Sequence, residues 1–291
     1  MLLICGTVPW ADLPITCGEA MFDGENLFIQ DTEILCTQGT AALVSAACVT
    51  AEYLKNNPPH VVFVGDNGKG KGSRLLYDYL SKNLELINPD ILLMHYILPV
   101  MGLMKKVCEA AAKCKKKPVM IADASSMYAA KAAGIAPFFD IFTPDLCEMA
   151  FLADADAVHP AYISRHLFSA EIAQAQELIT AAYRQKSAAK TLIVKGATDH
   201  VVEDGKIIFT ISEPDIPALE AIGGTGDTIS GMVGALIEAG FKHNEAAITA
   251  LKANREAGKC ARATPATKIR QIVQAIPNVL KNSIIETKSR V

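Results

Sequence analysis

Apolar runs and amphipathic stretches alternate along the chain from about residue 40 onward. Residues 60–64 (His-Val-Val-Phe-Val) and 191–194 (Thr-Leu-Ile-Val) are almost entirely apolar, as expected for strands that are covered on both faces. Longer stretches with apolar residues on one side lie between such runs, the first at residues 40–54. This alternation predicts a mostly parallel sheet with crossover helices packed against it.

The remaining elements follow from the same pattern. Further strands are predicted at residues 1–5, 90–94, 118–122 and 139–143. A hairpin at 200–203 and 206–211 is joined by Asp204-Gly205, a dipeptide that favours the type I′ turn. Helices are predicted at residues 40–54, 73–84, 100–114, 125–133, 148–152 and 170–185, after Asp227, and at 244–260 and 268–280. Because the sequence shows no repeat and no low-complexity linker, we expect residues 1–291 to form a single α/β domain.

Four loops that follow predicted strands carry polar or glycine-rich sequence. They begin after residues 64, 122, 143 and 194. The carboxyl ends of parallel strands meet at one edge of a sheet, where ligands bind in doubly wound folds. The coincidence of these loops predicts a ligand site at that edge.

Composition and charge narrow the range of partners. The net charge of −3 and the pI of about 6.1 provide no global basic field for nucleic acid or an anionic membrane. The apolar stretch at 91–104 is shorter than the ~20 residues of a membrane span. The eight cysteines show no zinc-ligand spacing and, together with the lack of a signal peptide, favour a reducing compartment. We therefore expect a soluble, cytoplasmic protein that binds a small molecule, and composition leaves a homo-oligomer open.

The segment Gly-Gly-Thr-Gly-Asp at residues 223–227 opens an apolar helix. Gly223, Gly224 and Gly226 allow a tight turn whose backbone N–H groups, together with the helix dipole, would hold a phosphate. Asp227 in the first turn would meet a substrate hydroxyl beside that phosphate and accept its proton. The alternative is that Thr225 and Asp227 only cap the helix. Capping alone does not require three glycines, so the phosphate site is favoured.

These residues carry a resemblance to a known family. Residues 221–227 (Ala-Ile-Gly-Gly-Thr-Gly-Asp) with the following 228–240 resemble the signature of ribokinase-like enzymes. The segment is most similar to that of the ADP- or ATP-dependent NAD(P)H-hydrate dehydratases. Residues 142–150 (Phe-Thr-Pro-Asp-Leu-Cys-Glu-Met-Ala) resemble a second motif of those enzymes, and also one of the hydroxymethylpyrimidine kinases. The resemblance implies a three-layer α/β/α fold, ATP or ADP as the phosphoryl donor, and Mg²⁺.

The resemblance also implies roles for particular residues. Lys195, Gly196 and the turn at 223–226 would contact the nucleotide, and Asp227 would face the acceptor hydroxyl. Asp123 and Asp145 would lie near the substrate, with Asp145 in the place of a histidine of the dehydratases. Glu148 matches the spacing at which these enzymes organise Mg²⁺ through water. The alternative for Asp145 and Glu148 is a capping box at the start of a helix.

Four further segments supply candidates at the substrate edge or near it. The loop from Gly65 resembles a Walker A loop, but Gly72 stands where Ser or Thr should bind Mg²⁺. Gly39 and Thr40 open the first clear helix and could offer backbone donors to a substrate. His95 could contact substrate, although a histidine beside apolar residues is more often a packing residue. Asn254 and Arg255 are interpreted as part of a polar helix face.

The sequence therefore predicts phosphoryl transfer from ATP or ADP to a hydroxyl of a small molecule. A nucleotide-dependent NAD(P)H-hydrate dehydratase is the favoured hypothesis, because the segments 142–150, 194–197 (Val-Lys-Gly-Ala) and 221–240 resemble motifs of that family and agree with it in order and spacing. A kinase acting on a sugar, nucleoside or hydroxymethylpyrimidine-like molecule is the alternative within the same chemistry. A non-catalytic nucleotide-binding protein is the alternative of another class.

Overall fold

The computed structural model describes residues 1–157 and 172–288. The strands are β1 (Leu2–Val8), β2 (Thr16–Phe22), β3 (Asn26–Ile29), β4 (Thr32–Leu35), β5 (His60–Gly65), β6 (Ile91–His95), β7 (Val119–Asp123), β8 (Ile141–Phe142), β9 (Thr191–Val194), β10 (Asp199–Glu203) and β11 (Lys206–Ile211). The helices are α1 (Thr40–Tyr53), α2 (Lys71–Ile87), α3 (Met101–Lys113), α4 (Ser125–Ala132), α5 (Leu146–Ala153), α6 (Ile172–Arg184), α7 (Thr225–Glu238), α8 (His243–Cys260) and α9 (Ile269–Lys288). Residues 170 and 171 of the predicted sixth helix lie outside the described residues.

The strands form one mixed sheet in the order β11-β10-β9-β8-β7-β6-β1-β5-β2-β3-β4. The central strands β5, β1, β6, β7, β8 and β9 run parallel to one another. Antiparallel strands extend the sheet at both edges. This arrangement confirms the predicted mostly parallel central sheet.

Helices cover both faces of this sheet, and each face has its own hydrophobic core. Residues of α1, α7, α8 and α9 pack on one face, and residues of α2, α3, α4, α5 and α6 pack on the other. All seven residues of β1 are buried because the strand lies between these two layers. The three-layer α/β/α fold expected from the sequence is therefore present.

Helices α1 and α7 pack closely on the first face. Gly231 makes this approach feasible, because a Cβ at that position would lie 2.0 Å from the carbonyl oxygen of Leu43. The contact brings the first residues of the two helices together at the carboxyl edge of the sheet. The register of the strands adds side chains to the same place, because His95 pairs with Asp123 across β6 and β7.

Strands β2, β3 and β4 were not predicted. They form an antiparallel extension of short segments, of seven, four and four residues, in which few positions are buried. Such short strands give a weak periodic signal. The type I′ turn at residues 204–205 is confirmed, since φ is 48° at Asp204 and 82° at Gly205. No helix among the described residues has the length and apolar character that a membrane span requires.

Candidate active site

The first turn of α7 is the centre of the site. Gly224 precedes the helix with a φ of 102°, and no side chain caps the helix there. The hydroxyl of Thr225 donates backward to the carbonyls of Leu219 and Ile222 at 3.0 and 3.1 Å. The capping alternative is thus wrong for Thr225. The N–H of Thr225 donates to the Ile222 carbonyl at 3.5 Å. The N–H groups of Gly226 and Asp227 in the same turn have no carbonyl partner within the helix, so they are available to an anion.

Asp227 does not cap α7 either. Its Oδ2 accepts the backbone N–H of Gly39 at 2.8 Å, and its Oδ1 lies 3.0 Å from Nε2 of His95. Burial acts to raise the pKa of Asp227, but the hydrogen bond and charge of His95, the charge of Lys195 and the Gly39 N–H together hold that pKa below its usual range. Asp227 is therefore a carboxylate whose orientation is fixed from α1 and β6.

Behind Asp227 lies a second buried group of polar side chains. Asp123 accepts hydrogen bonds from Lys195 Nζ at 3.0 Å, from the N–H of Ala124 at 2.8 Å and from the hydroxyl of Ser230 at 2.6 Å. Burial acts to lower the pKa of Lys195, but the carboxylates of Asp123, Glu148 and Asp227 outweigh this effect and raise it. Lys195 consequently stays charged at the end of β9.

Asp145 and Glu148 form a capping box at the start of α5. The N–H of Glu148 donates to Oδ1 of Asp145 at 2.7 Å, and the N–H of Asp145 donates to Oε2 of Glu148 at 2.9 Å. Tyr128 donates to the other Glu148 oxygen at 3.0 Å. The capping alternative is confirmed for both residues. Burial raises the pKa of Glu148 to about 8, with Asp145 and Asp123 adding to the rise and Lys195 opposing it.

Two clefts meet at Asp227. The first, which we call the Lys195 cleft, has a volume of about 400 Å³. Its walls include Asp123, Asp145, Glu148, Lys195, Gly196, Asp199, Asp215, Gly224, Thr225, Gly226, Asp227, Asn254 and Arg255. The second, which we call the Gly39 cleft, has a volume of about 500 Å³. Its walls are Thr7, Pro9, Gln38, Gly39, Thr40, Asp66, Gly68, Tyr96, Leu98, Ser125, Gly223, Gly224 and Asp227.

The predicted site residues divide between these clefts. Most of the predicted nucleotide contacts lie on the Lys195 cleft, together with Asp123 and Asp145. Gly223 lies on the Gly39 cleft instead, with the predicted substrate contacts Gly39 and Thr40. Gly65 and His95 are absent from the described walls of both clefts. His95 has no exposed surface and contacts Asp227 from behind.

The loop that follows β5 is arranged around its own carboxylate. Asp66 accepts the N–H groups of Gly68, Gly70 and Ser73 at 3.1, 2.9 and 2.8 Å, and the Ser73 hydroxyl at 2.8 Å. These are the donors that would bind a phosphate in a loop of the Walker A type. Because Asp66 occupies them, the loop reaches the Gly39 cleft through Asp66 and Gly68 and not through Gly65, whose N–H donates to the Leu13 carbonyl at 2.9 Å.

Asn254 and Arg255 were predicted to lie on a polar helix face, and this prediction is wrong. Both are buried, with exposed fractions of 6% and 7%. Arg255 Nε donates to Asp199 Oδ2 at 2.7 Å, and its Nη2 donates to the carbonyls of Gly196 and Ala197 at 3.0 and 2.9 Å. Burial raises the pKa of Asp199 against the opposing charge of Arg255. Arg255 thus fixes the turn that follows Lys195 on the wall of the cleft.

Two residues of the site adopt strained backbone conformations. Tyr96 and Ala124 follow directly after β6 and β7, with φ values of 50° and 52°. Tyr96 lines both clefts, and its ring stands edge-on to that of His95 at 4.4 Å between centroids. Burial, Asp227 and Asp123 raise the pKa of Tyr96 to about 12. Nothing in the residue types at these positions signals the strain.

One group of potential metal ligands lies within the described residues. His95, Asp123 and Asp227 offer atoms within 4.8 Å of one another. The ammonium group of Lys195 already neutralises Asp123 at 3.0 Å, so a cation is present without a metal ion. We assign no metal to this group.

Comparison with solved structures identifies the fold. Phosphofructokinase-2 from Escherichia coli in complex with substrates and products gives a TM-score of 0.58 at 14% identity, over 97% of this chain and 100% of that chain. A ribokinase-like superfamily protein from Enterococcus faecalis V583 gives 0.57 at 16% identity, over 97% and 86%. Pyridoxal kinase from Staphylococcus aureus in complex with AMP-PCP and pyridoxal gives 0.52 at 14% identity, over 88% of both chains. The fold is therefore ribokinase-like.

Sequence comparison then identifies the family. A family model described as NAD(P)H-hydrate dehydratase, of the carbohydrate kinase type, matches residues 98–278. An uncharacterised protein of Methanocaldococcus jannaschii is 39% identical over 242 residues, which are 83% of this chain and 100% of that protein. The chain belongs to the NAD(P)H-hydrate dehydratase family of carbohydrate kinase-like enzymes. The matched segment contains the Lys195 side of the site, whereas Gly39, Thr40 and His95 precede it.

Proposed function

We propose that the protein transfers a phosphoryl group from ATP or ADP to a hydroxyl group of a small molecule, with the nucleotide in the Lys195 cleft and the acceptor in the Gly39 cleft. The position of Asp227 is the observation that carries this proposal, since its carboxylate lies on the walls of both clefts. With 14% of its side chain exposed, it can contact a hydroxyl group placed at the junction. The uncapped start of α7 beside it would hold the transferred phosphoryl group.

Proton transfer to Asp227 completes the proposed reaction. The acceptor oxygen bonds to the terminal phosphorus of the nucleotide, the bond from phosphorus to the leaving oxygen breaks, and the hydroxyl proton passes to Asp227. In this scheme Lys195 and the N–H groups of α7 neutralise charge on the transferred group. The chain supplies position and charge, and no side chain forms a covalent intermediate.

The charges of the Lys195 cleft support a requirement for Mg²⁺. Seven acidic side chains line it: Asp123, Asp145, Glu148, Asp199, Asp215, Glu220 and Asp227. Lys195 and Arg255 are the cationic side chains on the described walls. A polyphosphate would be repelled from such a surface without a divalent cation, and the oxygen donors of Glu148 and Asp145 are of the type that Mg²⁺ binds through water. When bound, the ion would neutralise phosphate charge.

We propose an NAD(P)H hydrate as the acceptor, because the chain belongs to the dehydratase family. The C–O bond to the phosphorylated hydroxyl would then break, phosphate would leave, and the adjacent ring carbon would lose a proton to solvent as the ring double bond re-forms. Incubation with ATP or ADP, Mg²⁺ and NADH hydrate should restore the absorbance of NADH. The variant Asp227→Asn should lose this activity while retaining nucleotide binding. Restoration at equal rates by wild type and variant would contradict the role of Asp227.

A kinase is the second candidate, and the walls of the Gly39 cleft favour it. The described residues that line this cleft include no lysine or arginine, but they include the acidic residues Asp66 and Asp227. An acceptor without phosphate groups fits such a surface better than one that carries a diphosphate. If NADH hydrate is not consumed, uncharged and cationic hydroxy compounds should be tested for ATP consumption. Lack of turnover with every compound would instead support the non-catalytic alternative.

A further inference from the structure

We infer that His95 is a positioning residue that donates hydrogen bonds from both ring nitrogens, as an imidazolium, and so keeps Asp227 oriented and ionised. The inference rests on the proposed role of Asp227 and extends it to a side chain that does not touch either substrate. His95 is fully buried, and the prediction that it contacts substrate is replaced by this role.

The hydrogen bonds of Thr40 fix the proton on Nδ1 of His95. The hydroxyl of Thr40 lies 2.6 Å from the carbonyl oxygen of Thr7 and 2.9 Å from His95 Nδ1. A carbonyl oxygen only accepts hydrogen bonds, so the single hydroxyl proton of Thr40 points toward the carbonyl oxygen of Thr7. The oxygen of Thr40 must then accept from His95, which places a proton on Nδ1.

The other ring nitrogen faces a carboxylate. Nε2 of His95 lies 3.0 Å from Oδ1 of Asp227 and 3.9 Å from Oδ2 of Asp123. A neutral ring with its proton on Nδ1 would present a lone pair to these oxygens. A second proton on Nε2 removes this repulsion, and it forms a charge-assisted hydrogen bond to Asp227.

The balance of charge around the ring supports the same state. Asp227 approaches from α7 and Asp123 from β7, while Lys195 pairs with Asp123 from the end of β9 at 3.0 Å. The neighbouring Tyr96 ring contributes no charge, and Thr40 approaches from α1. Glu148 adds a third acidic group beside Lys195. With a neutral His95, at least two buried carboxylates would therefore face one cation, whereas an imidazolium supplies a second cation.

Nitrogen NMR of the wild-type protein tests the protonation state directly, without substrate. In protein labelled with ¹⁵N at its six histidines, the His95 signals should show two protonated nitrogens at neutral pH. The variant Asp227→Asn should return the ring to one protonated nitrogen. A single protonated nitrogen in the wild type overturns the inference. His95 can be assigned by its contacts with the Tyr96 ring, so the result does not depend on any His95 variant.

Two substitutions test the positioning role separately. The amide nitrogen of glutamine overlays Nε2 and can donate to Asp227, whereas that of asparagine overlays Nδ1 and reaches only Thr40. We expect kcat to fall by about tenfold in His95→Gln and about a hundredfold in His95→Asn, with the nucleotide KM little changed. Loss of the positive charge of His95 makes Asp227 easier to protonate. In His95→Gln, the pH below which kcat falls should therefore be higher than in the wild type by about one unit.

The outcomes separate this inference from the proposed function. Equal losses of kcat in the two variants would show that packing alone matters at His95 and would overturn the positioning role. If the wild type turns over no acceptor, the proposed function fails, but the nitrogen spectrum still decides the protonation of His95. If both variants fail to fold, that spectrum remains the deciding measurement.

Discussion

The backbone N–H of Gly39 donates to Oδ2 of Asp227 at 2.8 Å, which joins the first residues of α1 and α7 across the sheet edge. Gly39 has a φ of 63° and a ψ of −141°, a combination that residues with a Cβ rarely adopt. The orientation of Asp227, the proposed base, therefore depends on Gly39, which is distant in sequence and lines the Gly39 cleft.

Replacement of Gly39 by alanine should weaken both stability and activity. The strained φ should cost about 1–3 kcal/mol of the free energy of unfolding, and the new methyl group would lie 3.4 Å from the ring of Tyr96. We expect kcat to fall by about tenfold because the donor to Asp227 shifts. Gly102→Ala in α3, where a Cβ meets open space, is the matched control and should be neutral or slightly stabilising in urea unfolding.

Asp227→Asn should reduce kcat by about 10² to 10⁴-fold, because the amide cannot accept the acceptor proton. Nucleotide affinity, measured by calorimetry, should change little. Asp215→Asn serves as the control, since Asp215 is an exposed acid on the same cleft wall. Comparable losses of kcat in the two variants would show that cleft charge, and not the position of Asp227, controls the reaction.

Removal of Mg²⁺ should weaken nucleotide binding by about tenfold or more, because the phosphates would face the carboxylates of the Lys195 cleft unscreened. The measurement is a calorimetric titration with and without EDTA. Glu148→Gln should raise the Mg²⁺ concentration needed for half-maximal binding, whereas Glu220→Gln, at an exposed position of the same cleft, should not. Binding that is indifferent to EDTA would contradict a metal-bound nucleotide.

Asp66→Asn should destabilise the protein by about 1–2 kcal/mol at neutral pH, because the amide group replaces an acceptor that Ser73 and the loop N–H groups require. Burial acts to raise the pKa of Asp66, but the N–H and hydroxyl of Ser73 and the N–H groups of Gly70 and Gly68 lower it below 3.8. The stabilisation by the wild-type carboxylate is therefore fully present above pH 3.8 and is lost as pH falls through the lower folded-state pKa.

Thermal unfolding as a function of pH measures this difference. The gap in Tm between wild type and Asp66→Asn should stay constant from neutral pH to about pH 5 and narrow only in stronger acid. Asp78→Asn provides the control, because Asp78 is 58% exposed and pairs with Lys82 on the surface of α2. A gap that widens in acid would mean that the carboxylate does not organise the loop.

Arg255→Lys should cost about 3 kcal/mol of stability, because an ammonium group cannot replace the planar donors that reach Asp199 and the carbonyls of Gly196 and Ala197. The turn after Lys195 should loosen, and the nucleotide KM should rise more than kcat falls. Chemical denaturation and steady-state kinetics provide the two readouts. Arg270→Lys is the control, since Arg270 pairs with the exposed Glu25 and is not among the described residues that line the Lys195 cleft.

The parts of this structure that have a local signal in the sequence could be predicted. The central strands are apolar throughout and the helices alternate with them, so their order and the ligand edge could be predicted. The Gly-rich turn before α7 was recognisable from its three glycines, of which Gly224 has a φ of 102° that favours glycine. The short strands β2–β4 escaped prediction because each offers few alternating positions.

The candidate site was harder to predict where it depends on tertiary contacts. The burial of Arg255 follows from Asp199, which lies 56 residues earlier in the chain. The contact between His95 and Asp227 spans 132 residues, and no spacing rule connects them. The role of Asp66 as an acceptor for its loop could not be predicted, because its four donors come together only when the backbone is folded around the carboxylate.

The meeting of two solvent-open clefts at Asp227 has a kinetic consequence. In the proposed assignment the nucleotide and the acceptor occupy different clefts, so neither has to leave before the other arrives, and both must be present together before reaction. Initial-rate plots should therefore show a ternary complex with random order of addition. A compound that blocks the Gly39 cleft would compete with the acceptor alone, which makes selective inhibition feasible without a nucleotide analogue.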